Sequence, residues 1–327
     1  MLARKIVATI EGMNAVAWME RHQVALYLGA LALGAALSLL VPQAATSAGI
    51  AVNPALALLL YATFLGVPFA RIRHSLRDGR FLATLLAVNF IVVPAVAWFL
   101  TRFVADDRAL LIGALFVLLA PCVDYVIVFT GLAGGSSDRL VAAAPLLMLA
   151  QMAVLPLYLR LFAGSSFAIA PAPFVEAFVF FIALPMLAAA LTQLAASRTR
   201  WGSTLQRIAL DAMVPLMMLT LACVVASQIA GVGSHLGALM RLVPVYAMFV
   251  AIMVPIGMLA ARIARLDVPG GRAIVFSGVT RNGLVVLPLV MALPFELAPL
   301  SVVTQTLVEL VAMVIMVRLV PAVMPRR

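Results

Sequence analysis

Charge is what this sequence has least of. Only 10% of its 327 residues are charged and 65% are hydrophobic, with a mean hydropathy of +1.18. Soluble domains run at about 25% charged and about 45–50% apolar, so a soluble globular class is excluded. Cysteine is equally scarce. Cys122 and Cys223 both fall inside apolar runs and suit neither a disulfide framework nor a zinc site. No His-Glu-x-x-His stretch and no convergent pair of aspartates is present for an intramembrane enzyme. The glycine-rich turn from Gly131 to Asp138 is followed by no lysine and preceded by no strand, so it is not a phosphate cradle. With no nucleotide motif elsewhere, an ATP-driven pump is excluded too. The chain reads as a non-enzyme that needs no cofactor and no resident metal.

What is present is a series of apolar runs, each near the 20 residues that cross about 30 Å of hydrocarbon. Ten are expected, near 23–41, 51–70, 81–101, 109–133, 140–163, 174–195, 208–230, 242–261, 273–293 and 298–320. The net charge of +10 does not signal nucleic acid, because of where the cations fall. With ten spans, 17 arginines and lysines fall on one side and 4 on the other, with Arg281 left inside a span. The positive-inside rule then places both termini in the cytoplasm of a cell inner (plasma) membrane. The expected organisation is a cytoplasmic or interfacial segment over 1–22, with Trp18 near the headgroups, followed by one polytopic membrane domain over 23–327.

Two of the runs are interrupted at their middles. Ala120-Pro121-Cys122-Val123-Asp124 breaks the fourth, and Thr280-Arg281-Asn282-Gly283 breaks the ninth. An ionised side chain near the bilayer centre costs roughly 2.5–3.5 kcal/mol on insertion scales, so Asp124 and Arg281 are expected to face protein or water. Transporters use such broken helices to turn unpaired backbone groups toward a substrate. A shift of 161 residues superposes Pro94 on Pro255 and Pro121 on Asn282. Five spans per half reverse the second half in the membrane, which predicts two inverted repeats, over 23–165 and 172–321.

Within the breaks, Asp124 and Arg281 are expected to pair, as a permanent latch or as a switch opened by substrate or a proton. Without Asp124 in reach, Arg281 becomes a candidate anion site. Cys122 is either a small buried hydrophobe or, because it follows Pro121 at a break, a soft ligand for a metalloid. Asn282 suits a half-helix cap or a donor to substrate, and Pro121 and Gly283 are the helix-breaking residues themselves. Glu309, a carboxylate in the middle of the tenth run near Gln305 and Thr306, is a candidate proton carrier.

Leu119-Ala120-Pro121-Cys122, followed by Val126, Val128, Leu132 and Gly135, resembles the signature of the arsenite permeases of the arsenical-resistance type. That group shares a superfamily with the bile acid:sodium symporters. The resemblance extends through Asn89–Pro94, Arg281-Asn282-Gly283 and Leu307-Val308-Glu309, and spans roughly residues 50 to 320. It implies an all-α fold of ten helices in two inverted five-helix repeats, a panel and a core domain, and broken helices four and nine that cross at the midplane. It also implies that Cys122 is the functionally required cysteine. Three positions depart from the pattern: Arg281 replaces the first of two asparagines, Leu284 replaces a glutamate, and Asp124 stands where a small neutral residue is usual. The glutamate and glutamine that bind sodium in the bile acid branch are absent at the ninth break.

The expected function is secondary transport. The first candidate is proton-coupled efflux of arsenite or a related inorganic metalloid, and the alternative is sodium-independent transport of a small organic anion. The expected partners are that substrate, protons and the lipid bilayer.

Overall fold

The computed structural model describes residues 2–41, 43–66, 78–123, 125–164, 176, 179–295 and 297–325. Asp124, the basic stretch Arg71–Arg77, the junction at Pro171–Pro173 and the terminal Arg326 and Arg327 lie outside the described residues. The elements are, in order, α1 (Leu2–Leu40), α2 (Gln43–Gly66), α3 (Gly79–Ala87), α4 (Val93–Thr101), α5 (Arg108–Leu118), α6 (Tyr125–Leu132) and α7 (Ser137–Ala163). Then come α8 (Leu184–Ala196), α9 (Arg200–Asp211), α10 (Met213–Met240), α11 (Leu242–Ile263), α12 (Val268–Val279), α13 (Gly283–Met291) and α14 (Leu297–Val323). No named strand occurs among the described residues.

Among the described residues, five helices are long and apolar enough to cross a membrane: Gln43–Gly66, Gly79–Val104, Leu146–Ala163, His235–Ile263 and Leu297–Val323. Such helices suggest a multi-pass membrane protein. Two of the ten expected runs fall short individually because their breaks split them, into α5 with α6 and into α12 with α13. The residues of the segment expected at 1–22 and those of the first run form one helix, α1, from Leu2 to Leu40, with no proline or glycine pair at residue 22.

Proline sets the local geometry. Pro94 has no N–H and its ring displaces the carbonyl four residues back, and the chain answers with a π-turn over Val88–Val92 that joins α3 to α4. The carbonyl it frees is that of Phe90, and the Tyr158 hydroxyl of α7 donates to it. A second π-turn, Val179–Ala183, precedes Pro185 in the same way. Aspartates cap the helix starts: Asp78 accepts from Phe81 N–H at 3.2 Å and Asp107 from Ala109 N–H at 2.9 Å.

The chain divides into two compact units, each built from both halves of the sequence. One comprises Met1–Gly66 and Ala183–Gly231, the other Val67–Ile182 and Val232–Arg327. In the first unit, Tyr61 and Thr192 hydrogen-bond at 2.9 Å and Gln193 donates to the Leu65 carbonyl at 3.0 Å, joining α2 to α8. Gly34 lets α1 approach the backbone of α10 at Ala222.

The second unit holds both broken helices. Arg139 at the start of α7 bridges Asp78 at 3.4 Å and Asp267 at 2.6 Å, which precede α3 and α12. Arg272 of α12 donates to the carbonyls of Ala133 (2.7 Å) and Met324 (2.7 Å), closing the ends of α6 and α14. Asp106, outside the spans, pairs with Arg241 at 2.5 Å, and the arginine's hydrogen bond holds that carboxyl below the usual carboxylate range.

Candidate functional site

The two breaks meet. α5 ends at Leu118 and the chain runs non-helically through Pro121 before α6 begins at Tyr125; α12 ends at Val279, and Thr280 is extended at φ −82° and ψ 131°. In lipid, each backbone polar group freed by a break needs a partner within the protein. Here the breaks serve one another. The Asn282 N–H donates to the Ala120 carbonyl at 2.8 Å and the Cys122 N–H to the Thr280 carbonyl at 3.3 Å, forming a short antiparallel bridge between Pro121 and Arg281. Proline suits its place, since the bonds fall to its neighbours and none needs its missing N–H.

Arg281 is the largest fully buried side chain described. Its Nη2 donates to Asn89 Oδ1 at 2.9 Å and to the Ser277 carbonyl, and Nη1 reaches the Leu118 carbonyl at 3.4 Å. The guanidinium carbon lies 5.7 Å from the centre of the Phe249 ring, a cation–π distance. Asn89 is held in turn by donating to Ser277 Oγ and the Leu85 carbonyl, each at 3.0 Å. The pairing expected between Asp124 and Arg281 rests on a residue outside the described ones. Among the described residues the guanidinium's acceptors are all neutral.

Glu309 of α14 is 1% exposed and receives three donors. The Tyr125 hydroxyl lies 2.6 Å from Oε1, the Arg281 backbone N–H donates to Oε2 at 2.8 Å, and Gln305 Nε2 donates to Oε2 as well. Tyr125 also stands 2.9 Å from the Arg281 carbonyl. Residue 281 is therefore held on both sides of its backbone by the same pair of side chains.

Cys122 is buried at the bridge. Asn282 caps α13, its Oδ1 accepting from Val285 N–H at 3.2 Å. Gly283 opens that helix where a side chain would strike Thr306: an added Cβ would lie 2.9 Å from Thr306 Oγ1. Three buried polar atoms here, Arg281 Nε, Asn282 Nδ2 and Gln305 Oε1, have no hydrogen-bond partner among the described residues. Buried polar atoms are rarely left so in folded proteins. No group of three His, Cys, Asp or Glu side chains converges among the described residues.

Cys122, Arg281, Asn282, Glu309, Pro121 and Gly283 thus come together at one crossing. Sequence reasoning singled out none of Tyr125, Asn89, Ser277 and Phe249 as site residues. Asn89 carried a signal, an amide inside an apolar run, and Tyr125 opens the half-helix after the first break; Ser277 and Phe249 carried none.

The family comparison matches residues 53–239, more than half of the chain, to the model of the sodium bile acid symporter family. The matched stretch contains the first break, and the second lies beyond it. No curated protein matches the chain. The chain belongs to the sodium bile acid symporter family, whose members are secondary transporters and not enzymes.

Proposed function

We propose that this transporter is an arsenite-type efflux permease driven by the proton gradient. In this reading ten helices form two inverted repeats in the inner membrane, with both termini cytoplasmic. The observation that carries it is the bridge at Pro121 and Arg281, where a buried thiol, a fixed cation and a buried carboxyl gather around unpartnered polar atoms. Cys122 supplies the soft sulfur that favours a trivalent metalloid over a hard ion. Asn282, its Oδ1 engaged as a cap, offers Nδ2 to the substrate's oxygens. Asp124 and Arg281 act as the gate, and Glu309 carries the coupling proton. In this reading one of the two discontinuous units serves as a panel and the other as a core.

Arsenite accumulation in a metalloid-sensitive host tests this reading. Cells expressing the native chain are expected to accumulate less than cells with an empty vector, and Cys122→Ser is expected to abolish the difference. Accumulation equal to the vector control removes arsenite as the substrate.

A second reading has its own observation. Arg281 Nε is buried without a partner among the described residues, which suits docking of a small organic anion. Activity retained in Cys122→Ser would favour that substrate class. Both readings share one expectation about cations. The guanidinium of Arg281 occupies the ninth break as a fixed positive charge, so transport is expected to be independent of sodium. Uptake or efflux in proteoliposomes that rises when sodium replaces choline would sink this.

A further inference from the structure

The Tyr125 hydroxyl has one proton and two oxygen neighbours that would each accept it: the Arg281 carbonyl at 2.9 Å and Glu309 Oε1 at 2.6 Å. An ionised carboxylate only accepts, whereas a carboxylic acid also donates. With Glu309 ionised, the hydroxyl can satisfy the carboxylate or the carbonyl but not both. A proton on Oε1 resolves the conflict, because Glu309 then donates to the Tyr125 oxygen and Tyr125 donates to the Arg281 carbonyl. Oε2 keeps its two N–H donors, from Arg281 and Gln305, in either state. The extra proton lets both close contacts of the Tyr125 hydroxyl be hydrogen bonds.

We infer that Glu309 is protonated in this conformation and that Tyr125 is the positioning residue which transmits its protonation state to the crossed helix breaks. The inference rests on the transporter reading for its purpose, though the proton itself does not depend on which substrate moves. Loss of the proton to water turns the Tyr125 hydroxyl toward the carboxylate. The Arg281 carbonyl then loses its donor at the residue that bridges Pro121. Protonation thus ties α6, which Tyr125 opens, directly to the second break, and deprotonation leaves the two linked only through Glu309. Besides Tyr125, the ionisable group facing Glu309 among the described residues is Arg281 of the second break; Cys122 lies nearer Arg281, and the Tyr246 hydroxyl of α11 is turned to the Ser301 carbonyl at 3.0 Å. α5 and α13 present apolar residues to α14.

Infrared difference spectroscopy on purified protein in phosphatidylcholine vesicles reads this directly, with glutamate labelled by carbon-13 at its side-chain carboxyl. The label sets Asp124 aside. At neutral pH the native protein is expected to show the labelled carbonyl stretch of a carboxylic acid, sensitive to deuterium exchange, and Glu309→Gln to lose it. Glu309→Asp also removes the labelled group and serves if the glutamine variant does not fold. In Tyr125→Phe the band is expected to shift to the position of a more weakly hydrogen-bonded acid, with its titration midpoint moved. A merely structural tyrosine would leave both unchanged. Absence of the labelled acid band from the native protein at neutral pH, or a band whose position and titration are the same in Tyr125→Phe, overturns the proposal. Neither outcome depends on arsenite flux, so failure here and failure of the substrate reading are separable.

Discussion

Arg281→Ala is expected to destabilise the protein by at least about 1–3 kcal/mol, the cost of leaving a buried hydrogen-bonding partner unsatisfied. The sign follows from comparing the assembled protein with its inserted but unassembled helices. Before assembly the guanidinium stands in lipid, at a cost of roughly 2.5–3.5 kcal/mol near the bilayer centre. Assembly supplies Asn89 Oδ1, the Ser277 and Leu118 carbonyls and the Phe249 ring. The arginine therefore favours the assembled state, and alanine forfeits that preference. Alanine also leaves Asn89 Oδ1 without this donor and opens a cavity where the largest fully buried side chain stood. Arg281→Lys keeps the charge but not the planar fork, so it is expected to fall between the two. Thermal unfolding of detergent-solubilised protein checks the order native, lysine, alanine. An alanine variant that melts with the native protein would show that the guanidinium contributes nothing to assembly.

The parts of the site that were legible in the sequence are those where an apolar run is violated locally. Pro121 and the Arg281-Asn282-Gly283 stretch stand out because neither belongs inside a continuous span, and Glu309 stands out for the same reason. The division of each run into two short helices follows from those residues alone. What could not be read is who meets whom. Asn89, Ser277 and Arg281 come together from α3–α4, α12 and the second break, and local periodicity does not encode such a meeting. Tyr125 is an ordinary aromatic in sequence, and its role appears only when α6 brings it against Glu309 of α14.

Gly113 carries the second large effect. It faces α14 so closely that an added Cβ would lie 2.6 Å from the Ala298 carbonyl oxygen, 2.6 Å from Ser301 Cβ and 2.9 Å from Ala298 Cα. Two opposing terms act on Gly113→Ala. Helix propensity favours alanine by about 0.8–1.0 kcal/mol, while forcing atoms into a filled core typically costs about 1–3 kcal/mol. Two of the three obstructing atoms belong to backbone inside a helix and cannot rotate aside, so the clash outweighs the propensity gain. Gly113→Ala is expected to lose stability, and Gly113→Val, with two more carbons at the same point, is expected to exceed the upper end of that range. Gly29 provides the control, since a Cβ there meets nothing within 4 Å and alanine should be neutral or slightly stabilising. The two terms can be separated by melting all three variants in one detergent. The consequence also reaches the site. Gly113 in α5 and Gly283 in α13 both lie against α14, so glycine is what lets both broken helices approach the helix that carries Glu309. Pushing α5 away at Gly113 would carry the bridge at Pro121 with it and lengthen the contact between Tyr125 and Glu309. Gly113→Val that still assembles is therefore expected to shift the labelled Glu309 acid band in the direction seen for Tyr125→Phe, whereas an unshifted band would mean that α5 can yield without disturbing the crossing.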